Sequence, residues 1–443
     1  MEFNHGLISA DDHVQEHPEV WTTRMAREKW RDRIPHVKRM TDGSDAWIVD
    51  GQRMSLPGIA IAGAAMADRG QEPKNWDDVP PIVFSARERL RAMDADGVDC
   101  AILYPSVSGL AGETFGKLGD ENLELACVQA YNDWLIDEWA DVSPRFVPQC
   151  IAPIWPMERT VAEIERAVAK GHKGVIYPAS PMELRAVPHI NEAAYDPLWA
   201  TCQELGVPLC FHAGASPKIQ MHPGDAFTPA VAAAFSGVVR SVSSIAVVAN
   251  FLLSRVLDRF PKLKIVFAES SLGWGAYEIE YADYQSEADG LPSEGYTLKP
   301  SELFQRQCYF TCWYDRMSLR VRRYLGSANI LWSSHFPLAT SSWPNTKQGV
   351  ESSFADVPDR EKRQILWANA AKLYSLLIIG NQRTGDQKHE TESSTCGRDD
   401  QESREDGGVL SENFRPGAQA RFRRRDLYVR RRRQHSAHRS EAR

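Results

Sequence analysis

Five side chains that could bind a metal ion or move a proton follow short apolar segments of this sequence. Each stands at or just past the end of its segment: Asp11 and His13 after the first, His212 after the fifth, Glu269 after the sixth and His335 after the eighth. Because residues two apart on an extended chain face the same way, Asp11 and His13 could bind one ion together. Imidazoles and carboxylates suit zinc, iron or manganese, and geometry decides among them. The set predicts a site for one divalent metal ion.

The segments that must position these residues are rich in β-branched side chains and alternate mostly with stretches of helical pattern. Alternation of this kind favours a parallel sheet, and eight units favour a closed (β/α)8 barrel, an α/β fold. In such a barrel the carboxyl ends of the strands meet at one mouth, so the five side chains should converge there. A doubly wound open sheet is the alternative, although no glycine-rich phosphate loop follows an early strand. The predicted strands span residues 6–13, 98–104, 146–154, 174–177, 207–212, 263–269, 308–312 and 330–333.

Each of the five residues also has a purely structural interpretation. A single histidine near a strand end is more often a hydrogen-bonded structural residue than a ligand. Asp11 could cap the turn that begins at Asp12, and Glu269 could pair with a nearby arginine. Their shared position at strand ends favours the metal site. The hypothesis requires the donor atoms of Asp11, His13 and His212 to lie within about 7 Å of one another, since each metal–ligand bond is roughly 2 Å long.

The overall composition narrows the class of protein. The chain has 443 residues, 43% of them hydrophobic and 25% charged, as in soluble globular proteins. We find no run of about 18 apolar residues that would predict a membrane span, and no secretory signal pattern at the start. A net charge of −7 gives no reason to expect nucleic acid as a partner. Eight dispersed cysteines indicate a reducing compartment, so we expect a cytoplasmic protein with neither membrane nor nucleic-acid partners.

Two regions fall outside the barrel pattern. From Asn381 onward the chain carries 15 Lys and Arg against 11 Asp and Glu, whereas the preceding residues carry 37 against 48. This end has few aliphatic residues and no sustained periodicity, so we predict a barrel domain over 1–380 and a disordered Arg-rich tail over 381–443. The tail could bind an anionic partner, but its bias towards Arg favours a dispensable extension. Residues 31–81 show no clear unit and are interpreted as an insertion after strand 1, lying over the mouth.

Longer motifs carry a family resemblance over most of residues 5–377. The sequence resembles the amidohydrolase superfamily, in the branch related to aminocarboxymuconate-semialdehyde decarboxylase. The resemblance implies a distorted (β/α)8 TIM barrel that holds one divalent metal ion, usually zinc, with manganese and iron as alternatives. The matching stretches are, in order, ISADDHVQEHPEVW, GHKGVIYP, YDPLWATCQELGVPLCFHAGAS, RFPKLKIVFAESSLGW, ILWSSHFPLATSSWP and ILWANAAKLYSL.

The resemblance also assigns roles to the five residues. Asp11 and His13 match the first-strand ligand pair, and His212 matches the fifth-strand ligand. Glu269 stands where several branches have a histidine. His335 occupies the place of an aspartate that touches the metal and shuttles protons, and Leu338 the place of a downstream histidine. His335 is therefore a fourth metal ligand, a free acid or base oriented by Glu269, or the mark of an impaired site.

This branch of the superfamily carries out two chemistries. Because Leu338 replaces the downstream histidine, we favour a metal-dependent carboxy-lyase that decarboxylates an aromatic or muconate-type acid without oxidation. A hydrolase of a C–N or C–C acyl bond is the alternative, and a catalytically impaired ligand-binding barrel is the second. Tyr104, Trp274 and Trp332 lie near strand ends and could stack on a flat small-molecule substrate, or could simply pack the barrel. Relatives often form dimers, so a homodimer is compatible with the resemblance.

Overall fold

The computed structural model describes residues 4–54, 59–60, 73–215, 228–338 and 340–376. The predicted tail over 381–443 and most of the Gly/Ala-rich centre of the insertion lie outside these residues.

Eight parallel strands form the central sheet, and neighbours in the sheet follow their order along the chain. They make a nearly closed barrel with helices around it, so the predicted TIM-barrel fold is confirmed. All eight predicted strand segments contain a strand of the barrel. The strands of the described residues are β1 (Ile8–His13), β2 (His36–Arg39), β3 (Asp45–Val49), β4 (Gln52–Arg53), β5 (Cys100–Tyr104), β6 (Phe146–Ile151), β7 (Gly174–Ile176), β8 (Leu209–His212), β9 (Ile265–Ala268), β10 (Cys308–Cys312) and β11 (Ile330–Trp332).

Helices connect successive barrel strands. Their ends carry ordinary local signals: Asp120 accepts hydrogen bonds from the backbone N–H groups of Asn122 and Leu123 at the start of α5, and Gly97 ends α3 in the left-handed conformation. The helices are α1 (Glu19–Thr22), α2 (Arg27–Trp30), α3 (Ala86–Asp96), α4 (Glu113–Gly116), α5 (Glu121–Leu135), α6 (Met157–Lys170), α7 (Asp196–Leu205), α8 (Pro229–Val242), α9 (Ile245–Leu253), α10 (Val256–Arg259), α11 (Gly273–Ala288), α12 (Pro300–Gln307), α13 (Arg322–Leu325), α14 (Thr346–Ser353), α15 (Asp359–Arg363) and α16 (Asn369–Leu373).

The core lies between the strands and this helical layer. Strands such as β9 are buried at every residue, as expected when a parallel sheet is covered on both faces. Seven of the eight cysteines lie within the described residues, and all seven are buried and free of disulfide bonds.

A buried polar cluster joins the first strand to the last. The Oδ1 atom of Asp12 accepts hydrogen bonds from the hydroxyls of Ser9, at 2.5 Å, and Ser334, at 2.7 Å, and from the backbone N–H of Phe336, at 3.2 Å. The backbone N–H of His13 donates to the carbonyl of Phe336 at 2.8 Å. These hydrogen bonds therefore join the first strand of the barrel to the last, beside the residues predicted to bind metal. We call this junction the seam.

The insertion after β1 contains a unit that the sequence interpretation missed. Strands β2, β3 and β4 form a separate antiparallel sheet. Val49 pairs with Gln52, which leaves Asp50 and Gly51 as a two-residue turn with φ of 49° and 74°. Asp-Gly is a strong hairpin signal, because both turn positions require positive φ. The interpretation of this region as having no unit of its own was wrong.

The helical segment Ala234–Leu253 is long and apolar enough to cross a membrane by length and composition alone. The segment includes Arg240 and four serines, so it passes on mean hydropathy without being an unbroken run of apolar residues. Ser243 and Ser244 separate α8 from α9 within the segment, and the side chains of Phe251 and Leu252 are buried against the barrel. A helix of a soluble protein that packs on its core passes the same test, so the segment is weak evidence for a span.

Candidate metal centre

The barrel brings the five predicted residues together at the carboxyl ends of its strands. Asp11 lies two residues before the end of β1, and His13 is the last residue of that strand. His212 is the last residue of β8. Glu269 directly follows β9, and His335 lies three residues past β11. All five side chains are buried.

The donor atoms of Asp11, His13 and His212 lie within 3.5 Å of one another. Nε2 of His212 lies 3.3 Å from Oδ1 of Asp11 and 3.2 Å from Nε2 of His13, and Nε2 of His13 lies 3.5 Å from the same Asp11 oxygen. Two ligands of a tetrahedral zinc are about 3.4 Å apart. The ligating atoms of Asp11, His13 and His335 all lie within 4.8 Å of one another. The spacing meets the 7 Å requirement and is close enough for shared ligation.

The second ring nitrogen of each histidine is already occupied. Nδ1 of His13 lies 3.0 Å from the carbonyl oxygen of Pro105, Nδ1 of His212 lies 2.7 Å from that of Ala213, and Nδ1 of His335 lies 2.8 Å from the hydroxyl of Thr340. Since a carbonyl can only accept, the first two Nδ1 atoms carry the proton. Their Nε2 lone pairs therefore face each other across 3.2 Å, which is stable only with a cation or a proton between them.

Two buried atoms at this point lack a hydrogen-bond partner among the described residues. They are Oδ1 of Asp11 and Nε2 of His335. The other carboxylate oxygen of Asp11, Oδ2, accepts a hydrogen bond from the backbone N–H of Glu269 at 3.0 Å. Because a buried polar atom without a partner costs about 1–3 kcal/mol, the arrangement fits a bound cation.

The backbone is strained at two of the five residues. Glu269 and His335 have φ of 53° and 58°, in the left-handed region that residues other than glycine rarely adopt. Strained positions of this kind cluster at functional sites, because the surrounding structure must hold them. Here the conformation directs both side chains into the mouth of the barrel.

The carboxylates and imidazoles of the site shift the pKa values of one another. Burial acts to raise the pKa of Asp11, but the nearby His212 and His13 hold that pKa well below its usual range. Burial likewise acts to lower the pKa of His212, but the carboxylates of Asp11 and Glu269 raise it to about 9. Burial lowers the pKa of His335. Asp11 is therefore ionised, and the cavity offers a net attraction for positive charge.

Glu269 lies beside the cluster and links it to an arginine that sequence reasoning missed. Its Oε1 atom lies 3.5 Å from Nε2 of His335 and 3.6 Å from Nη1 of Arg240 on α8, and its Oε2 atom lies 3.7 Å from Nδ1 of His212. The backbone N–H of Glu269 also donates to Oγ1 of Thr311 at 2.8 Å. Arg240 is half-buried, so its side chain is still accessible to solvent.

Of the three aromatic residues predicted to contact substrate, one adjoins the centre. The ring of Tyr104 lies 5.3 Å from that of His212 and is fully buried. Trp332 is also fully buried within the barrel. The indole of Trp274 donates to the carbonyl of Ser270, and its ring packs against Phe310. Trp274 therefore lies in the helix–sheet interface.

A fourth aromatic residue was missed by sequence reasoning. Trp313 stacks on the ring of His335, with centroids 4.8 Å apart and planes 24° apart. It directly follows β10, so the rule that located the other site residues at strand ends could have found it. Arg240 offered no such signal, because it lies within a helix and is distant in sequence from every other site residue.

A family model of the amidohydrolases matches residues 18–376. The chain belongs to the amidohydrolase family. The resemblance inferred from the motifs is thereby confirmed, and this amidohydrolase is an enzyme. None of the curated proteins matches it in sequence.

Solved structures similar to this amidohydrolase share its fold at low identity. An amidohydrolase from Mycobacterium avium subsp. paratuberculosis K-10 is 20% identical, with 84% of this chain and 100% of that chain covered and a TM-score of 0.65. A dihydroxybenzoic acid decarboxylase from Polaromonas sp. JS666, with bound manganese and 2-nitroresorcinol, is 18% identical, with 85% and 98% covered and a TM-score of 0.58. A 5-carboxyvanillate decarboxylase from Sphingomonas paucimobilis is 19% identical, with 84% and 99% covered and a TM-score of 0.59.

Proposed function

We propose that this amidohydrolase is a metal-dependent carboxy-lyase that releases CO2 from an aromatic or muconate-type hydroxy acid. The observation that carries the proposal is the guanidinium of Arg240, 3.6 Å from Glu269 and beside the cation site. A forked guanidinium is suited to binding a carboxylate, so Arg240 offers a binding group for the acid of the substrate. The buried apolar side chain of Leu338, in the place of the family's downstream histidine, also favours decarboxylation.

Asp11, His13, His212 and His335 would hold the ion. When bound, a divalent cation stabilises the negative charge that develops on substrate oxygens. We propose zinc, with iron and manganese as alternatives, because three imidazoles and one carboxylate are a nitrogen-rich set and manganese favours oxygen ligands. The Polaromonas decarboxylase was solved with bound manganese, so the identity of the metal in this chain should be measured directly.

Glu269 is the residue that we assign to proton transfer. It is buried, its Oε2 atom has no hydrogen-bond partner among the described residues, and its Oε1 atom lies close to His335 and Arg240. Decarboxylation of a hydroxy-aromatic acid replaces the carboxylate on the ring carbon by a proton, and Glu269 would take that proton from solvent and pass it to the carbon, a role worth about 10² to 10⁴ in rate. The same carboxylate could activate a water, which is the hydrolase alternative.

The test begins with the metal content and products of the purified full-length chain. We expect about one ion per chain, and CO2 release from a panel of hydroxybenzoates that a chelator abolishes and the ion restores. Hydrolysis of an amide or acyl panel without CO2 would support the hydrolase. Absence of bound metal would overturn both enzyme proposals and favour the ligand-binding barrel.

The carboxylate role of Arg240 has its own test. Arg240→Gln should raise KM for the acid at least tenfold and leave the metal content unchanged, because the residue is not a ligand. Arg87→Gln, at an exposed position on α3, is the matched control.

We further propose that the protein is cytoplasmic, since its described cysteines are all unpaired, and that it forms a homodimer.

A further inference from the structure

One arginine of α3 is fully buried beside the seam. The side chain of Arg89 has no exposed surface. Arginines are almost never fully buried unless they are paired, yet the one ion pair of Arg89 among the described residues is long, with Nη1 lying 3.7 Å from Oδ2 of Asp12. Nη1 also has no hydrogen-bond partner among those residues. The position of this guanidinium therefore needs a reason other than its own electrostatic stability.

The first contact of the guanidinium fixes the backbone of His13. Nη2 of Arg89 donates to the carbonyl of His13 at 2.7 Å, and the backbone N–H of His13 donates to the carbonyl of Phe336 at 2.8 Å. Both peptide groups that flank the α-carbon of His13 are thus held. Since peptide groups are planar, holding both of them also fixes the direction of the Cα–Cβ bond between them. Arg89 therefore helps to set where the imidazole of His13 enters the centre.

The second contact reaches the segment that carries His335. The guanidinium carbon of Arg89 lies 4.3 Å from the centroid of the Phe336 ring, within the range of a cation–π contact. Phe336 directly follows His335, whose backbone has the left-handed φ of 58°. The backbone N–H of Phe336 donates to Oδ1 of Asp12 at 3.2 Å. One guanidinium therefore contacts His13 and the immediate neighbour of His335, two of the residues proposed to hold the ion.

Arg89 is itself anchored from outside the seam. Its Nε atom donates to the carbonyl of Ile82, just before α3, at 3.1 Å. The guanidinium also lies 5.6 Å from the centroid of the Trp139 ring, which follows α5. These two contacts hold the guanidinium independently of the strands on which it acts.

A buried charge contributes little to a fold by its presence alone. Removing a cation from water is costly, and an apolar side chain of similar volume often gives equal or greater stability. A guanidinium can do what an apolar side chain cannot, because its hydrogen bonds have fixed directions and orient the groups that accept them. Orientation matters at a metal site, since metal–ligand distances vary by only about 0.2 Å. We propose that Arg89 is a positioning residue that sets the places of His13 and His335 for the ion, an inference that rests on the metal centre of the proposed function.

Equilibrium dialysis of the full-length chain against zinc tests this role. Arg89→Met removes the donors and keeps an unbranched side chain, so it should raise the zinc dissociation constant by about ten- to a hundredfold. Arg145→Met is the matched control. Arg145 also donates to two backbone carbonyls, those of Val98 and Asp99, but these residues precede β5, at the end of the barrel opposite the centre. Arg145→Met should lower Tm and leave the zinc dissociation constant unchanged.

Arg89→Lys gives a second measure that does not depend on the folding of Arg89→Met. One ammonium nitrogen replaces the separate Nε and Nη2 donors, so it cannot serve the carbonyls of Ile82 and His13 together. Zinc should therefore bind about three- to tenfold more weakly than to the wild-type chain. A folded Arg89→Lys or Arg89→Met chain that binds zinc as tightly as the wild-type chain overturns the inference. So does an Arg145→Met chain that loses as much affinity as Arg89→Met.

Cobalt(II) bound in place of zinc reports the arrangement of its ligands through its visible absorption spectrum. The bands of Arg89→Met should differ from those of the wild-type chain in position or strength, and those of Arg145→Met should match them. An unchanged spectrum in Arg89→Met would show that the ligands keep their places without the guanidinium, against the inference. None of these measurements needs turnover. A chain whose zinc affinity depends on Arg89 but which releases no CO2 would overturn the proposed function alone, and a chain without zinc affinity would overturn both.

Discussion

The backbone N–H of Glu269 donates a 3.0 Å hydrogen bond to Oδ2 of Asp11, although 258 positions separate the two residues. This contact turns the other oxygen of Asp11 towards the imidazoles. It depends on the left-handed backbone of Glu269, which at the same time places the Glu269 side chain beside His335. One strained residue therefore orients the proposed ligand Asp11 with its backbone and places the proposed proton-transfer group, its own carboxyl, with its side chain.

This division of roles predicts different outcomes for two isosteric changes. Asp11→Asn removes the charge that faces the ion, so metal affinity should fall at least a hundredfold in equilibrium dialysis against zinc. Glu269→Gln keeps the backbone donor, so metal content should stay near one ion per chain while kcat falls at least a hundredfold. Loss of metal in Glu269→Gln would show that its carboxylate is itself a ligand.

His335→Asp restores the residue that relatives carry at this position. Aspartate is too short to keep both the stacking on Trp313 and the contact with Thr340, so we expect metal affinity to fall by about ten- to a hundredfold. The measurement is metal retention on dialysis, with His189→Asp, at an exposed loop position, as control. A rise in turnover in His335→Asp would instead identify the natural site as impaired.

Glu16 is predicted to support the centre from outside it. Its buried carboxylate accepts hydrogen bonds from the backbone N–H groups of Ser106, Val107 and Ser108, at 3.2, 2.7 and 3.0 Å. These residues follow Pro105, whose carbonyl oxygen contacts Nδ1 of His13. Glu16→Ala leaves buried donors unpaired, so it should lower the free energy of unfolding by about 3 kcal/mol in urea.

Metal affinity should fall about tenfold in the same Glu16 variant, because the support of a ligand is lost. The exposed Glu19→Ala is the control and should change neither quantity. Destabilisation with unaltered metal affinity would confine Glu16 to a folding role.

Glu278 should make the fold less stable at alkaline pH. Burial in α11 raises the pKa of its carboxyl from 4.5 to about 8, with the backbone of Ala249 opposing. The folded chain then holds this proton more tightly than the unfolded chain does, so the stabilisation is complete below about pH 4.5 and is lost as pH rises towards 8. Glu278→Gln should remove that loss, and should be more stable than the wild-type chain by about 2–4 kcal/mol at pH 9.

Urea unfolding between pH 5 and 9 measures this dependence. Glu165→Gln, at an exposed position on α6, should show the same change in the free energy of unfolding with pH as the wild-type chain. If the free energy of unfolding changes equally with pH in the wild-type chain, Glu278→Gln and Glu165→Gln, then Glu278 is not protonated in the folded chain.

The sequence predicted the barrel and the meeting of its five polar residues for a simple physical reason. Buried parallel strands are continuous apolar runs, and their carboxyl ends share one edge, so position along the chain converts directly into position in the fold. Asp11, His13 and His212 needed no further information to be placed together. The roles assigned to them stay predictions.

Other features depend on contacts that no local pattern carries. Arg240 approaches Glu269 from α8, an element that precedes Glu269 by almost 30 residues, and the partners of the histidine Nδ1 atoms are carbonyl and hydroxyl groups contributed by loops. Trp274 was chosen for lying near a strand end, but its ring packs against Phe310 because α11 begins there. The hairpin at Asp50 and Gly51, in contrast, had a readable signal.

The seam formed by Asp12, Ser9 and Ser334 has a consequence for biosynthesis. The first and last strands of the barrel are more than 300 residues apart, and the residues proposed to hold the ion lie at the ends of both. A nascent chain still lacking β11 cannot assemble the full set of ligands, however much of the barrel has already formed. The complete site should therefore form only after synthesis has passed His335, and a ribosome-stalled chain that ends near residue 300 should bind zinc more weakly than the full-length chain.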